Sequence, residues 1–205
     1  MVYQNIFESG FDLPERVCIV APGPSGRPHY REIPSGFLVI AVAKAVLIPG
    51  ISADIWMMNH ADQPWYQEAD AWFEGTRIFG DEAAAKRPAR SNAGLHYYFE
   101  PAEEPLMPEM TNGIDGVVRL GGSITGCALQ IAYNFGARKI LLCGADMSGD
   151  GYWDGTLNSV VAHGETWSTI ERLNPLIRWM EEKGVTVEAL SPTKLDVPAY
   201  RSDSQ

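Results

Sequence analysis

Apolar residues along this chain gather in short unbroken runs rather than in alternating or heptad patterns. Positions 16–21 (Arg-Val-Cys-Ile-Val-Ala) and 37–42 (Phe-Leu-Val-Ile-Ala-Val) are apolar on both faces, as strands buried between helix layers are. Positions 54–58, 76–79, 139–143 and 185–190 repeat the type, and 96–99 carries at most a short strand. Two stretches show the helical period instead. Ile124, Cys127, Ala128, Ile131, Ala132 and Phe135 form a stripe at i, i+3, i+4, i+7, i+8 and i+11, with Ser123 as cap and Gly136 as stop. Over 167–183, Ile170, Leu173, Ile177 and Met180 fall on one face, and Pro175 predicts a kink or a restart capped by Asn174. Trp65, Ala69, Trp72 and Phe73 predict a third helix over 64–74, stopped by Gly75. Residues 81–112, punctuated by Pro88, Pro101, Pro105 and Pro108, read as an irregular excursion. Strands alternating with helices predict a single Rossmann-like α/β domain over 1–205, a mostly parallel sheet with helices on both faces.

Composition narrows the function. The 205 residues suit one domain, and 45% hydrophobic with 20% charged residues excludes a largely disordered chain. Twenty-six acidic against 16 basic side chains leave a formal charge of −10, which repels phosphate backbones and anionic lipid heads. We therefore expect no nucleic-acid or membrane-surface partner, while a local basic pocket remains able to hold one small anion. No apolar segment approaches the roughly 20 residues of a membrane span, and the first residues lack the basic start and apolar stretch of a signal peptide. Cys18, Cys127 and Cys143 show no CxxC spacing, so they read as reduced core thiols and the protein as cytoplasmic.

In such a sheet ligands bind beyond the carboxyl ends of the strands, where strand order reverses. The polar residues after each apolar run are thus the candidates: Pro22 to Ser25, Lys44, Asn59 and His60, Asp81, and Gly144 to Asp146. Ala-Pro-Gly-Pro-Ser-Gly after the first long run reads either as a rigid strand-ending turn or as a phosphate site in which Ser25 adds a hydroxyl. It is neither a Walker A motif nor GxGxxG, and its two prolines remove two donors. Gly121-Gly122-Ser123-Ile124-Thr125 opens the best helix with more glycine than a cap requires, which favours ligand contact at Gly122, Ser123 and Thr125. Asp146, Asp150 and Asp154 match no calcium loop; Asp-Gly turns account for two of them, and no metal ligand is assigned. His163, in a polar stretch before the final helix, is the best-placed general base, and His60 the next. His29 and His96 have weaker cases. No GxSxG, HExxH or Cys/His pairing supports a hydrolase.

Taken in order, the Gly-Pro-Ser turn, the apolar strand after it, Gly-Ser-Ile-Thr-Gly-Cys-Ala-Leu and Ala-Arg-Lys-Ile-Leu-Leu-Cys-Gly-Ala-Asp resemble the DUF115 family, which includes archaeal MptE-like 6-hydroxymethylpterin diphosphokinases. The layout is also similar to the bacterial sialyltransferases of glycosyltransferase family 42. The resemblance implies a nucleotide held by Gly23, Pro24, Ser25, Ser123, Thr125, Gly144 and Asp146, with His163 as base and Tyr152 assisting the departing phosphate. Where these sialyltransferases carry Asn after the second strand, this chain has Ala43 or Lys44, and Lys44 offers a phosphate contact instead. The function so implied is a nucleotide-dependent transferase, first a glycosyltransferase with a nucleotide-sugar donor, a small-molecule or glycan acceptor and no required cofactor. The alternatives are a pterin-type diphosphokinase, needing Mg²⁺ on carboxylates such as Asp146, Asp150, Asp54 and Asp81, and a non-catalytic nucleotide-binding protein.

Overall fold

The computed structural model describes residues 3–59, 63–80, 85, 95–102, 116–119, 123–156 and 166–201. They form one eight-stranded sheet built from β1 (Tyr3–Asn5), β2 (Arg16–Val20), β3 (Leu38–Val42), β4 (Ile55–Met58), β5 (Thr76–Phe79), β6 (His96–Tyr98), β7 (Lys139–Cys143) and β8 (Thr186–Ala189). The spatial order is β1-β6-β5-β4-β3-β2-β7-β8, and every pairing is parallel. From β2 the chain steps outward through β3, β4, β5 and β6, then returns to the other side of β2 for β7 and β8. Strand order therefore reverses between β2 and β7. The short strand β1, which the sequence pattern did not suggest, lies beyond β6 at one edge. At the other edge Ala199 bridges Ala189, covering part of β8.

Both sheet faces are buried, as the unbroken apolar runs required. Val17, Ile19, Ile40, Val42, Met57, Ile140 and Leu142 face one layer, made by α3 (Ile124–Asn134) and α4 (Thr166–Glu182). Cys18, Val20, Ala41, Trp56, Met58, Leu141 and Cys143 face the other, which includes α1 (Gly26–His29), α2 (Tyr66–Asp70) and the 3₁₀ turn Ala43–Leu47. The helix expected over 64–74 is thus only five residues long. All three cysteines are free and buried; burial pushes the Cys127 and Cys143 thiols up to about 12 and Cys18 well above its ordinary value.

Helix α3 starts where its sequence signals it, with the Ser123 hydroxyl accepting the Thr125 N–H at 3.1 Å. It is buried on more sides than its apolar stripe implied, from Thr125 to Ala132. Gln130 makes this possible: its amide pairs with both the N–H and the carbonyl of Arg119, at 2.8 and 2.9 Å, as a strand neighbour would. Gly126 lets α4 approach, since a Cβ there would lie 2.8 Å from Leu173 Cδ2. Helix α4 buries Ile170, Leu173, Ile177 and Met180 as expected but runs unbroken through Pro175. Asn174 caps no restart; its Oδ1 accepts from the Asp196 N–H at 3.0 Å instead.

The second layer holds a buried polar group. Arg77 and Asp70 are 0% and 2% exposed, with Arg77 Nη2 3.1 Å from Asp70 Oδ1 and 2.6 Å from the Phe73 carbonyl. His96, opposite Arg77 on β6, is 1% exposed, and its Nδ1 donates to the Ala85 carbonyl at 3.2 Å. Burial lowers the His96 pKa from its ordinary value; the Ala85 carbonyl and Asp70 oppose this, while Arg77 and the N-terminus add to it. The unfolded chain therefore takes up this proton first as the pH falls, and the histidine's contribution to stability is lost below about 6.5. Urea unfolding of the wild type should show stability falling as the pH goes from 7 to 5. His96→Phe should flatten the histidine part of that slope; an unchanged slope would refute the assignment.

Candidate functional site

Each of β2, β3 and β7 ends at the same edge of the sheet. Helix α3 runs back from that edge, because its end meets the segment before β2: the Leu13 N–H reaches the Phe135 carbonyl at 2.8 Å, and Arg138 and Lys139 reach the Glu15 carbonyl. Eleven helical residues advance about 16 Å, the span of a five-residue strand, which brings Ser123 to the carboxyl edge beside the ends of β2 and β3. Ser25 and Ser123 thus share one edge of the sheet. Gly121, Gly122, His60, Asp81 and His163 lie outside the described residues.

At the reversal point the loops after β2 and β7 are interlocked. The Gly23 N–H donates to the Gly144 carbonyl at 2.9 Å, the Gly26 N–H to the Gly23 carbonyl at 3.0 Å, and the Ser25 N–H to Asp146 Oδ2 at 2.9 Å. Pro22 and Pro24 have no N–H. All three amides of the turn are therefore engaged inside the protein. Asp146 is engaged through both oxygens, its Oδ1 accepting the Ser25 hydroxyl. Gly23 and Gly144 are glycines because the two loops cross in contact. A Cβ on Gly23 would stand 2.3 Å from the Gly144 carbonyl oxygen.

A third segment closes this junction. Ser191, just past β8 and 5% exposed, accepts the Gly144 N–H at 2.7 Å and lies 2.8 Å from the Ser25 hydroxyl. Since Asp146 only accepts when ionised, Ser25 gives it its one proton and Ser191 donates to Ser25. The chain Gly144 N–H to Ser191 to Ser25 to Asp146 is thereby saturated. Thr193 Oγ1 adds a bond to the Ala145 carbonyl at 2.5 Å, and the Lys194 N–H one to the Asp146 carbonyl at 3.0 Å. The sequence reading passed over Ser191, although it follows an apolar run as the other candidates do.

The loop after β7 continues to Met147, one of two non-glycine residues with positive φ among the described residues (+51°). The other, Ala43 (+48°), follows β3 at the same edge. Backbone of this kind costs energy and concentrates at functional sites. Lys44, beside Ala43, is 9% exposed, and its ammonium pairs with Asp154 and donates to Thr156 Oγ1 at 2.9 Å, 5.6 Å above the Tyr152 ring. Burial would raise the Asp154 pKa, but Lys44 and the two Thr156 donors outweigh it and hold the carboxyl at about 2. Burial, with Asp154 adding to it, raises that of Tyr152. Lys44 thus fastens the Gly- and Asp-rich loop to the end of β3. The Trp153 N–H makes a further attachment, to the Pro22 carbonyl at 2.8 Å. The Gly- and Asp-rich loop is accordingly tied down through residue 156. Thr125 is buried at 3% exposure in the first turn of α3, leaving Ser123 as its more open polar residue.

No protein family's sequence profile matches this chain, so the DUF115 resemblance gains no support, and no curated protein matches it. Among solved structures it is similar to the sialyltransferase CstII from Campylobacter jejuni in complex with a substrate analogue, CMP-3FNeuAc, at 15% identity and a TM-score of 0.48, covering 86% of this chain and 81% of that one. The CstII complex with cytidine-5′-monophosphate gives 13% identity and a TM-score of 0.48 over 88% and 81% of the two chains. A CST-II complex with trisaccharide acceptor and CMP gives 13% and 0.45 over 85% and 81%.

Proposed function

We propose that the protein is a nucleotide-dependent transferase that takes a nucleotide-sugar donor at the carboxyl edge, across the β2–β7 reversal, and passes the sugar to a glycan or small-molecule hydroxyl. The observation that carries this reading is the reversal itself: an all-parallel sheet with one switch point, and the start of α3 at the same edge. The locked Ser25–Asp146–Ser191 junction forms the floor on which the nucleotide lies. Ser123 and the amino end of α3 face its phosphates. Tyr152, held under Lys44, stands by the leaving group, and His163 takes the acceptor proton. Helix α4, which follows His163 in sequence, ends beside β8 at the amino edge, so its start belongs to the carboxyl edge.

The diphosphokinase alternative needs Mg²⁺ on converging carboxylates, and two of the four carboxylates available for it are engaged elsewhere. Asp54 lies at the opposite edge, accepting the Val39 N–H at 2.8 Å before β4 begins, and Asp146 is occupied by Ser25. Among the described residues no three His, Cys, Asp or Glu side chains gather as a metal site. No described helix is long and apolar enough to cross a membrane.

The test is a thermal-shift screen of CMP, UDP, GDP, ATP and 6-hydroxymethylpterin, with and without Mg²⁺. A nucleotide at a hundred times its Kd adds about 2.7 kcal/mol, a Tm rise of roughly 5–10 °C for a chain of this size. The donor sugar of the nucleotide that binds is then offered for hydrolysis. His163→Ala and His163→Gln should lose about 10²–10⁴-fold in turnover with binding intact. Unchanged turnover would remove His163 from the mechanism, and tight binding without turnover would leave a nucleotide-binding protein.

A further inference from the structure

With the turn amides, Asp146 and Lys44 all engaged internally, the phosphate end of a nucleotide needs a cation from elsewhere on this edge. We infer that Arg27 supplies it, as a preorganised fork for the 5′-phosphate or pyrophosphate of the bound nucleotide; this rests on the nucleotide reading above. Arg27 is the second residue of α1, immediately beyond the interlocked turn, and is exposed. Its guanidinium carbon lies 5.8 Å from the centre of the Trp153 ring. It forms no ion pair among the described residues, in a chain of net charge −10.

Cation–π attraction holds the guanidinium near the ring without using its N–H groups, which can then take two phosphate oxygens at once. The ring is itself anchored. Trp153 is held by its backbone to Pro22, and the next residue, Asp154, by its side chain to Lys44. The Lys44–Asp154 pair therefore acts indirectly: it seats the tryptophan on which the arginine rests. An exposed guanidinium with no ion pair among the described residues also attracts anions in a chain of net charge −10.

The experiment compares a nucleoside monophosphate with its own nucleoside. CMP, UMP, GMP and AMP are titrated calorimetrically into the wild type, and the tightest is carried forward beside cytidine, uridine, guanosine or adenosine as appropriate. Arg27→Gln should weaken the monophosphate about tenfold or more and leave the nucleoside unchanged. Arg27→Lys, which keeps the charge but not the fork, should fall between. Arg31→Gln is the control, since Arg31 is occupied by the Tyr30 hydroxyl at 2.9 Å and should leave both affinities alone. Equal monophosphate affinity in the wild type and Arg27→Gln overturns the inference and spares the nucleotide reading. Equal losses for nucleotide and nucleoside overturn it too, by making Arg27 a structural residue. A wild type that binds none of the four overturns both readings together.

Discussion

Gly144→Ala should remove about 2–5 kcal/mol of stability, combining about 1–2 for a left-handed backbone with about 1–3 for overpacking. Gly144 sits at φ +72°, and an added Cβ would stand 2.3 Å from the Ala21 carbonyl oxygen and 2.9 Å from Gly26 Cα. Those are backbone atoms of a ladder, not the far end of a flexible side chain. The Ala21 N–H is bonded to the Cys143 carbonyl at 2.7 Å, so neither loop can withdraw without breaking the β2–β7 junction. Moving Gly144 would also pull its N–H from Ser191 and loosen the bonds between Ser25 and Asp146. Gly10→Ala supplies the comparison. It has a similar φ, +67°, with nothing within 4 Å of the new methyl, and should cost only the backbone part. Urea midpoints at constant m-value measure both. If the two variants prove equally stable, the interlocked loops do not hold the switch point as described.

Asp70→Ala should cost a comparable amount, about 3–5 kcal/mol, because it removes the carboxylate facing a fully buried guanidinium. Arg77 rises from the middle sheet into an apolar layer, its guanidinium carbon 5.4 and 5.7 Å from the ring centres of Phe73 and Trp56. Burial lowers its pKa against the opposing pull of Asp70, so the pair is held against a desolvation cost. Asp70→Asn keeps the shape and one acceptor and should cost less. The double variant Asp70→Ala with Arg77→Met should recover part of the loss, since it takes away the charge that the single change strands. Strictly additive losses in that cycle, or a loss below about 1 kcal/mol for Asp70→Ala, would show that the ion pair contributes little.

Neither residue stood out in the chain. Positions 76–79 read as a strand because Ile78 and Phe79 dominate the run, and nothing in the spacing says that Arg77 turns inward. Its burial follows from α2, whose Asp70 and following Phe73 carbonyl meet it from the neighbouring layer. A buried charge is legible only with its partner, and partners from different elements are not adjacent in a pattern. The same holds for Pro175. Local propensity predicts a break, yet burial of Leu173, Leu176, Ile177 and Met180 on one face keeps α4 whole.

Much of the architecture is written in short-range pattern. Runs apolar on both faces specify strands covered on both sides, which is why β2, β3, β4, β5, β7 and β8 appear where expected, within a residue or two. The stripe from Ile124 with its serine cap does the same for α3. Parallel pairing follows from alternation with helices, and with it the choice of the carboxyl edge as the place for a site. Periodicity acts over one element, however, and says nothing about which donors are already taken. Ser25 and Asp146 are 121 residues apart, and Ser25 and Ser191 166. Only when β7 settles against β2, and the chain beyond β8 folds over both, do Gly23, Ser25 and Asp146 change from candidate ligand contacts into a saturated scaffold. Lys44 changes in the same way once Asp154 reaches it, and Arg27, unremarkable in sequence, is left exposed and without an ion pair among the described residues.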